Sequence, residues 1–244
     1  VVIEGPERGR VRVHGVGLHG LKPAPGPLYV GNSGTSMRLL SGILSAQPFD
    51  TVMTGDASLA KRPMERIAKP LRLMGADIQT TGERGTPPVS VHGVTTAAKG
   101  GLKGIHYDMP VASAQVKSGV LLAGLWADGE TSVTEPAPTR DHTERMLKGF
   151  GYEVKVQGAT ATLRGGGKLT ATKIDVPSDI SSAAFFLVAA SIAPNSDLTL
   201  EHVGINPTRV GVINILKAMG GNLEVFNERE IGGEPVADIR VRSA

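Results

Sequence analysis

Apolar residues recur at helical spacing in several stretches of this chain, and short strand-like segments separate them. In residues 113–126, Val116, Val120, Leu121 and the Ala123-Gly124 pair make one apolar face with small residues for close packing, which predicts a helix laid against another element. Residues 141–149 repeat the pattern with Met146 and Leu147, and Phe150 follows directly. Strands are expected at 105–108, 131–134, near 152–156 and at 161–164, so this stretch reads βαβαββ. The same order fits two more stretches. The first has segments at 28–30, 34–44, 51–54, 63–74, 77–79 and 89–92, and the third at 171–176, 181–192, 198–201, 208–219, 222–226 and 238–241. Pro63 and Pro207 then fall near the first turns of their helices, where a missing N–H does no harm.

The three stretches also share spacing. Their helix starts read Ser33-Gly34-Thr35, Ser113-Ala114-Gln115 and Ser181-Ser182-Ala183. Arg62, Arg140 and Arg209 fall 28, 27 and 28 residues after Gly34, Ser113 and Ser181, and each second helix runs into a glycine, Gly75, Gly151 or Gly220. Self-similarity at a long fixed period marks repeated supersecondary units stacked into one architecture. The expected fold class is therefore α/β (α+β) with repeated βαβαββ units. Val1-Glu4 and Arg10-Gly15 read as the closing strand pair of an earlier unit, so the chain is expected to start in mid-fold and to be a piece of a longer protein. The expected division is 1–177, with two complete units, and 178–244, with one unit of a second domain.

Composition narrows the function. With 244 residues, 40% of them hydrophobic and 20% charged, the chain can bury a core, and 32 glycines with 4% aromatics point to tight turns and aliphatic packing. The formal charge is only +3 and the basic residues are scattered, which favours a small anionic ligand over nucleic acid. There is no cysteine, so a disulfide framework, a thiolate nucleophile and a Cys-ligated metal are excluded. The longest apolar stretches are too short to span a bilayer, and a cytoplasmic location is expected.

Chemistry concentrates at the helix starts. Gly31-Asn32-Ser33-Gly34-Thr35-Ser36-Met37-Arg38 follows a strand and opens a helix; unpaired N–H groups and the helix dipole there make an anion site, although Asn32 and Ser33 also suffice as plain caps. Gly55-Asp56-Ala57-Ser58-Leu59-Ala60-Lys61-Arg62 puts two cations before the next helix. Arg62, a planar fork, suits a carboxylate or phosphate better than Lys61, and Asp56 fits a turn cap or an ion pair. Ser113, Ala114 and Gln115 bring a hydroxyl and an amide to the second helix start, which suits a polyol phosphate. Thr139-Arg140-Asp141-His142-Thr143-Glu144 places Arg140 beside a candidate cap, Asp141, while Asp179 and Asn206-Pro207-Thr208-Arg209 read mostly as capping and turn chemistry. The six histidines lack metal-ligand spacing, and neither a G-x-S-x-G nor a Walker sequence occurs.

The segments 31–38, 55–64, 113–115 and 139–144, taken together and in order, resemble the 5-enolpyruvylshikimate-3-phosphate synthase family from end to end of this chain, through Asp175-Val176-Pro177-Ser178-Asp179 and the closing segment 236–242. The resemblance implies an inside-out α/β barrel in which helices lie inside with their N-termini towards an interdomain cleft. It implies transfer of the enolpyruvyl group of phosphoenolpyruvate to the 5-hydroxyl of shikimate 3-phosphate, with phosphate released and no metal or cofactor. Gly34, Arg62 and Gln115 are then expected at phosphoenolpyruvate, and Ser113, Ala114, Gln115 and Arg140 at shikimate 3-phosphate. Asn32, Thr35, Lys61 and Asp179 would support them. Glyphosate-tolerant relatives with the Ser-Ala-Gln segment carry alanine where this chain has Gly34, so sensitivity is implied. The family's catalytic aspartate and glutamate and its C-terminal arginine and lysine ligands have no counterpart in these residues, which implies little turnover from them alone. The partners implied are small molecules, with no nucleic acid or membrane, acting on a monomer. A non-catalytic anion-binding piece is one alternative. A UDP-N-acetylglucosamine enolpyruvyl transferase is another, and the absence of cysteine speaks against it.

Overall fold

A computed structural model of the chain describes residues 1–94 and 101–243. They fall into two compact units, Val1–Ala137 with Glu153–Lys168, and Pro138–Tyr152 with Leu169–Ala244. In the first unit an antiparallel ribbon, β1 (Val2–Glu7) and β2 (Arg10–His14), precedes two sheets built alike. In the first sheet β3 (Leu28–Tyr29) runs parallel to β4 (Thr51–Thr54), β6 (Val89–His92) pairs antiparallel with β4, and β5 (Asp77–Thr80) forms the far edge. In the second sheet β7 (His106–Asp108) runs parallel to β8 (Glu130–Thr134), followed by β10 (Thr160–Arg164) and β9 (Lys155–Gln157) in the same antiparallel order.

Three helices of this unit, α1 (Gly34–Leu44), α2 (Glu65–Leu73) and α3 (Ala114–Gly124), pack on one another, and α2 and α3 also pack on strands. Nine of the eleven residues of α3 are buried, so the helices form the inner layer and the sheets the outer one. That is the inside-out α/β arrangement. Small residues make it possible: a Cβ on Gly42 would lie 2.0 Å from the carbonyl oxygen of Gly119, and one on Gly119 would lie 2.9 Å from that of Arg38. The α1 and α3 backbones therefore touch. Ile67 packs beside Gly119, and Met37, Met53, Met64, Leu121 and Val133 are fully buried in the same unit.

The second unit holds α4 (His142–Gly149), α5 (Ile180–Ile192), α6 (Gly211–Ala218) and an antiparallel sheet ordered β11 (Asp197–Gly204), β13 (Glu234–Arg242), β12 (Asn222–Ile231). Ile180, Ala183 and Leu187 of α5 meet Ile213, Leu216, Val203, Ile239 and Val241 in its core. A polar network fastens α4 here. Arg145 Nε donates to Asp141 Oδ2 at 2.8 Å and its Nη1 to the Gly233 carbonyl at 2.9 Å, while buried Asn206 donates to Asp141 and Glu234 at 2.7 and 3.0 Å.

Most expected elements form with ends shifted by a residue or two, and the glycines Gly75, Gly151 and Gly220 sit at positive φ just past their helices. Four expectations need correction. Residues 171–176 are exposed and form no strand; the parallel pairing expected there shrinks to one bridge, Ser178 with Val203, directly after Pro177, which has no N–H to offer a ladder. Helix α2 begins at Glu65 rather than Pro63, after a 3₁₀ turn at Leu59–Lys61, and α6 begins at Gly211 rather than Thr208, after a turn in which Asn206 Oδ1 accepts from Thr208 N–H. Strands β12 and β13 extend far beyond the expected pieces into a long hairpin through Gly232 and Gly233. Asp141 precedes α4 but makes no side-chain capping bond, since Arg145 and Asn206 take its oxygens. Helix α4 lies in the second compact unit, where its polar network joins it to the sheet that follows.

Candidate functional site

In the first unit the starts of α1 and α3 come together. Ser33 caps α1, its hydroxyl accepting from Ser36 N at 3.0 Å, and Ser113 caps α3 by accepting from Val116 N at 3.3 Å. Each cap satisfies one orphan donor, and the remaining N–H groups of the first turns, with the positive end of the helix dipole, favour negative charge. Thr35 and Gln115 meet across the two starts, Gln115 Nε2 donating to Thr35 Oγ1 at 2.7 Å.

Arginines crowd this point. Arg62 Nη2 donates to Asn32 Oδ1 at 2.5 Å, and Asn32 Nδ2 donates to Asp56 Oδ2 at 2.9 Å. Asp56 Oδ1 accepts from the backbone N–H groups of Leu59 and Ser58 at 2.7 and 3.0 Å; the Leu59 bond first, then those of Asn32 and Ser58 and the charge of Arg62, hold its carboxyl below the ordinary value. Arg38 Nη1 donates to Gln115 Oε1 at 2.5 Å and its Nη2 to the Pro63 carbonyl at 3.0 Å. Burial, then repulsion from Arg66 and Arg62, pushes the Arg38 guanidinium below its usual pKa. Arg38 and Arg62 thus bond to an amide, a carbonyl and another amide, all neutral acceptors, which leaves their charge for an anion.

Gly34 is buried at the first position of α1, and a Cβ there would come within 2.9 Å of Arg38 Nη1 and 3.4 Å of Arg62 Nη1. An added methyl would press on the Arg38 guanidinium and crowd that of Arg62. Of the expected site residues, the structure brings Asn32, Gly34, Thr35, Arg62 and Gln115 together, with Ser113 and Ala114 on the same α3 turn as Gln115. Lys61 is exposed within the 3₁₀ turn. In the second unit Arg140 is exposed, and Asp179 caps α5, accepting from Ser182 N at 2.9 Å and from Arg209 Nη2 at 2.9 Å. Arg38 was not among the expected site residues. Its signal was present, because Arg38 stands three residues after Thr35 and four after Gly34, on the same helix face. Lys117 was also missed: it is 1% exposed and its Nζ donates to Glu135 Oε1 at 2.8 Å, holding the first α3 turns to the end of β8. Among the described residues no cluster of three His, Asp or Glu has the placement of a metal site, and no helix is long and apolar enough to cross a membrane.

Repeated units of two helices and four strands with the helices inward, the first helix start carrying arginines bonded to neutral partners, define an inside-out α/β fold class. Within that class the family is clear. The family model for EPSP synthase (3-phosphoshikimate 1-carboxyvinyltransferase) matches residues 2–244, and the chain belongs to that family. It is 64% identical over 242 residues to a 3-phosphoshikimate 1-carboxyvinyltransferase of Methylococcus capsulatus, covering 99% of this chain and 54% of the relative. It is 64% identical over 244 residues to that of Halorhodospira halophila, covering 100% of this chain and 54% of the relative. A solved EPSP synthase from Acinetobacter baumannii superposes with a TM-score of 0.89 at 70% identity, over 100% of this chain and 54% of that one. The chain thus spans about half the length of the relatives it matches.

Proposed function

We propose that this chain carries the helix-start anion site of a 3-phosphoshikimate 1-carboxyvinyltransferase, the enzyme that moves an enolpyruvyl group from phosphoenolpyruvate to shikimate 3-phosphate and releases phosphate. The observation that carries the reading is the pair Arg38, in the second turn of α1, and Arg62, just before α2, which among the described residues hydrogen-bond only to neutral acceptors. Two polyanionic substrates repel each other, and fixed guanidiniums with helix dipoles offset that repulsion and hold the reactants in line. In this reading Gly34, Arg62 and Gln115 face phosphoenolpyruvate, and Ser113, Ala114, Gln115 and Arg140 face shikimate 3-phosphate. Asn32, Thr35, Lys61 and Asp179 support them. The reading carries with it a cytoplasmic monomer, a domain hinge near Pro177, and turnover that needs more than these 244 residues.

Isothermal titration of the purified chain with shikimate 3-phosphate tests it, run with the unchanged sequence and with Arg62→Ala and Gln115→Ala. Saturable binding that Gln115→Ala abolishes supports a preformed half-site. No saturable binding by the unchanged chain counts against a preformed site, and steady-state phosphate release by the chain alone refutes the dependence on further segments.

A further inference from the structure

The hydrogen bonds around Gln115 have a direction, and Arg38 sets it. A guanidinium has five N–H donors and no acceptor, so the Gln115 atom 2.5 Å from Arg38 Nη1 is the amide oxygen. The other end of the amide, Nε2, therefore faces Thr35 Oγ1 at 2.7 Å and donates to it. A hydroxyl that accepts still owns a hydrogen, and Thr35 is exposed at the first turn of α1, free to donate outward. Nε2 also keeps a second hydrogen. Without a donor on its oxygen, a glutamine amide can flip and present the oxygen to the ligand instead. Arg38 itself is held by the Pro63 carbonyl at 3.0 Å, in the segment that directly follows Arg62, so the guanidinium is anchored on both sides. It is also placed against cost, half-buried and facing Arg62 and Arg66. A side chain needed only to fill that space would not have to be a cation.

We propose that Arg38 is the positioning residue of the site: by holding the oxygen of Gln115 it turns Gln115 and Thr35 into a one-way series of donors aimed at an anionic oxygen of phosphoenolpyruvate. This rests on the function proposed above. A site polarised in this way accepts carboxylate or phosphoryl oxygens and rejects a ligand group that must donate a hydrogen there.

The test is steady-state kinetics of the full-length enzyme carrying this segment, with Arg38→Gln, Arg38→Lys, Gln115→Ala and the two double variants, each with its thermal midpoint. Arg38→Gln is expected to raise KM for phosphoenolpyruvate by about tenfold or more, the size of one lost charge-assisted hydrogen bond, with a smaller change in KM for shikimate 3-phosphate. Arg38→Lys, which keeps a cationic donor, recovers part of that loss. In the Gln115→Ala background each Arg38 change adds clearly less than it costs in the unchanged enzyme, because its positioning part runs through that amide while its charge does not. Additive losses, or an equal rise in both KM values with a lowered thermal midpoint, overturn the proposal while leaving the site reading intact. If Gln115→Ala leaves both KM values unchanged, the site reading itself fails and the proposal falls with it. Should Arg38→Gln not fold, the Arg38→Lys cycle decides between the same outcomes.

Discussion

The first and third repeats use one device at their helix starts and reach opposite electrostatic results. In each, the arginine of the second helix reaches back to the start of the first: Arg62 to Asn32 Oδ1, and Arg209 to Asp179 Oδ1 and Ser181 Oγ, at 2.5, 2.9 and 2.5 Å. The partner decides the outcome. The amide of Asn32 orients Arg62 and leaves its charge available, whereas the carboxylate of Asp179 neutralises Arg209 inside its own repeat. A shared scaffold therefore does not make three equal anion sites: an amide beside the cap in the first repeat and an acid at the cap in the third separate a site from a brace.

The helix bodies differ as well. Helix α3 of the first unit and α5 of the second are both apolar nearly all round, yet nine of eleven residues are buried in α3 and only four of thirteen in α5. Phe185 and Phe186 are 79% and 59% exposed. An apolar helix becomes core only where other elements close around it, as α1 and α2 close around α3.

The largest expected break in this comparison is in stability. Lys117→Met removes the cation that Glu135 meets at 2.8 Å inside the first unit and is expected to cost about 3–5 kcal/mol, because it breaks a buried ion pair. Phe185→Ser on the exposed face of α5 is expected to stay within about 0.5 kcal/mol. Chemical denaturation of both variants checks the contrast, and similar losses would show that α5 is as constrained as α3. Next in size is the charge choice. Asn32→Asp gives the first repeat the acid of the third and also sets a like charge beside Asp56; phosphoenolpyruvate affinity is expected to fall about ten- to a hundredfold, from ~1–4 kcal/mol per contact charge near a surface. The reciprocal Asp179→Asn, which takes the carboxylate away from Arg209, is expected to move that affinity far less, and calorimetric titration reads both. The smallest effect is on acid stability. Hydrogen bonding by Arg240, helped by Arg242, lowers the Asp197 carboxyl to about 2 in the folded second unit. Unfolded, such a carboxyl titrates near ~3.9, so its stabilisation is complete above that pH and is lost as pH falls through about 2. Asp197→Asn should flatten the stability curve over that window. The Gln115 amide bonds Arg38 and Thr35, neither of which titrates there, so Gln115→Ala should leave that slope as it is.

The repeat, the helix starts and the glycine stops were legible because they rest on local chemistry: caps, positive φ and the 3.6-residue apolar period are written within a few neighbouring residues. The same locality explains the misses. Residues 171–176 carry strand-like alternation, but whether a strand forms depends on a partner, and the pairing that forms is the single Ser178 bridge. Asp141 has a capping residue's position, yet Arg145 and Asn206 claim its oxygens from one turn and from 65 residues away. Arg38 lay in a segment recognised as a helix start, but its partner Gln115 is 77 residues further along the chain.

By itself the sequence determined the βαβαββ period, the anion-favouring helix starts and the family resemblance, since each is set by residues close in the chain or by motifs kept in order. Only the tertiary structure decided which helix became core, which arginine kept its charge free and which way the Gln115 amide points. Burial, charge compensation and hydrogen-bond direction belong to pairs of groups, and folding alone chooses the pairs.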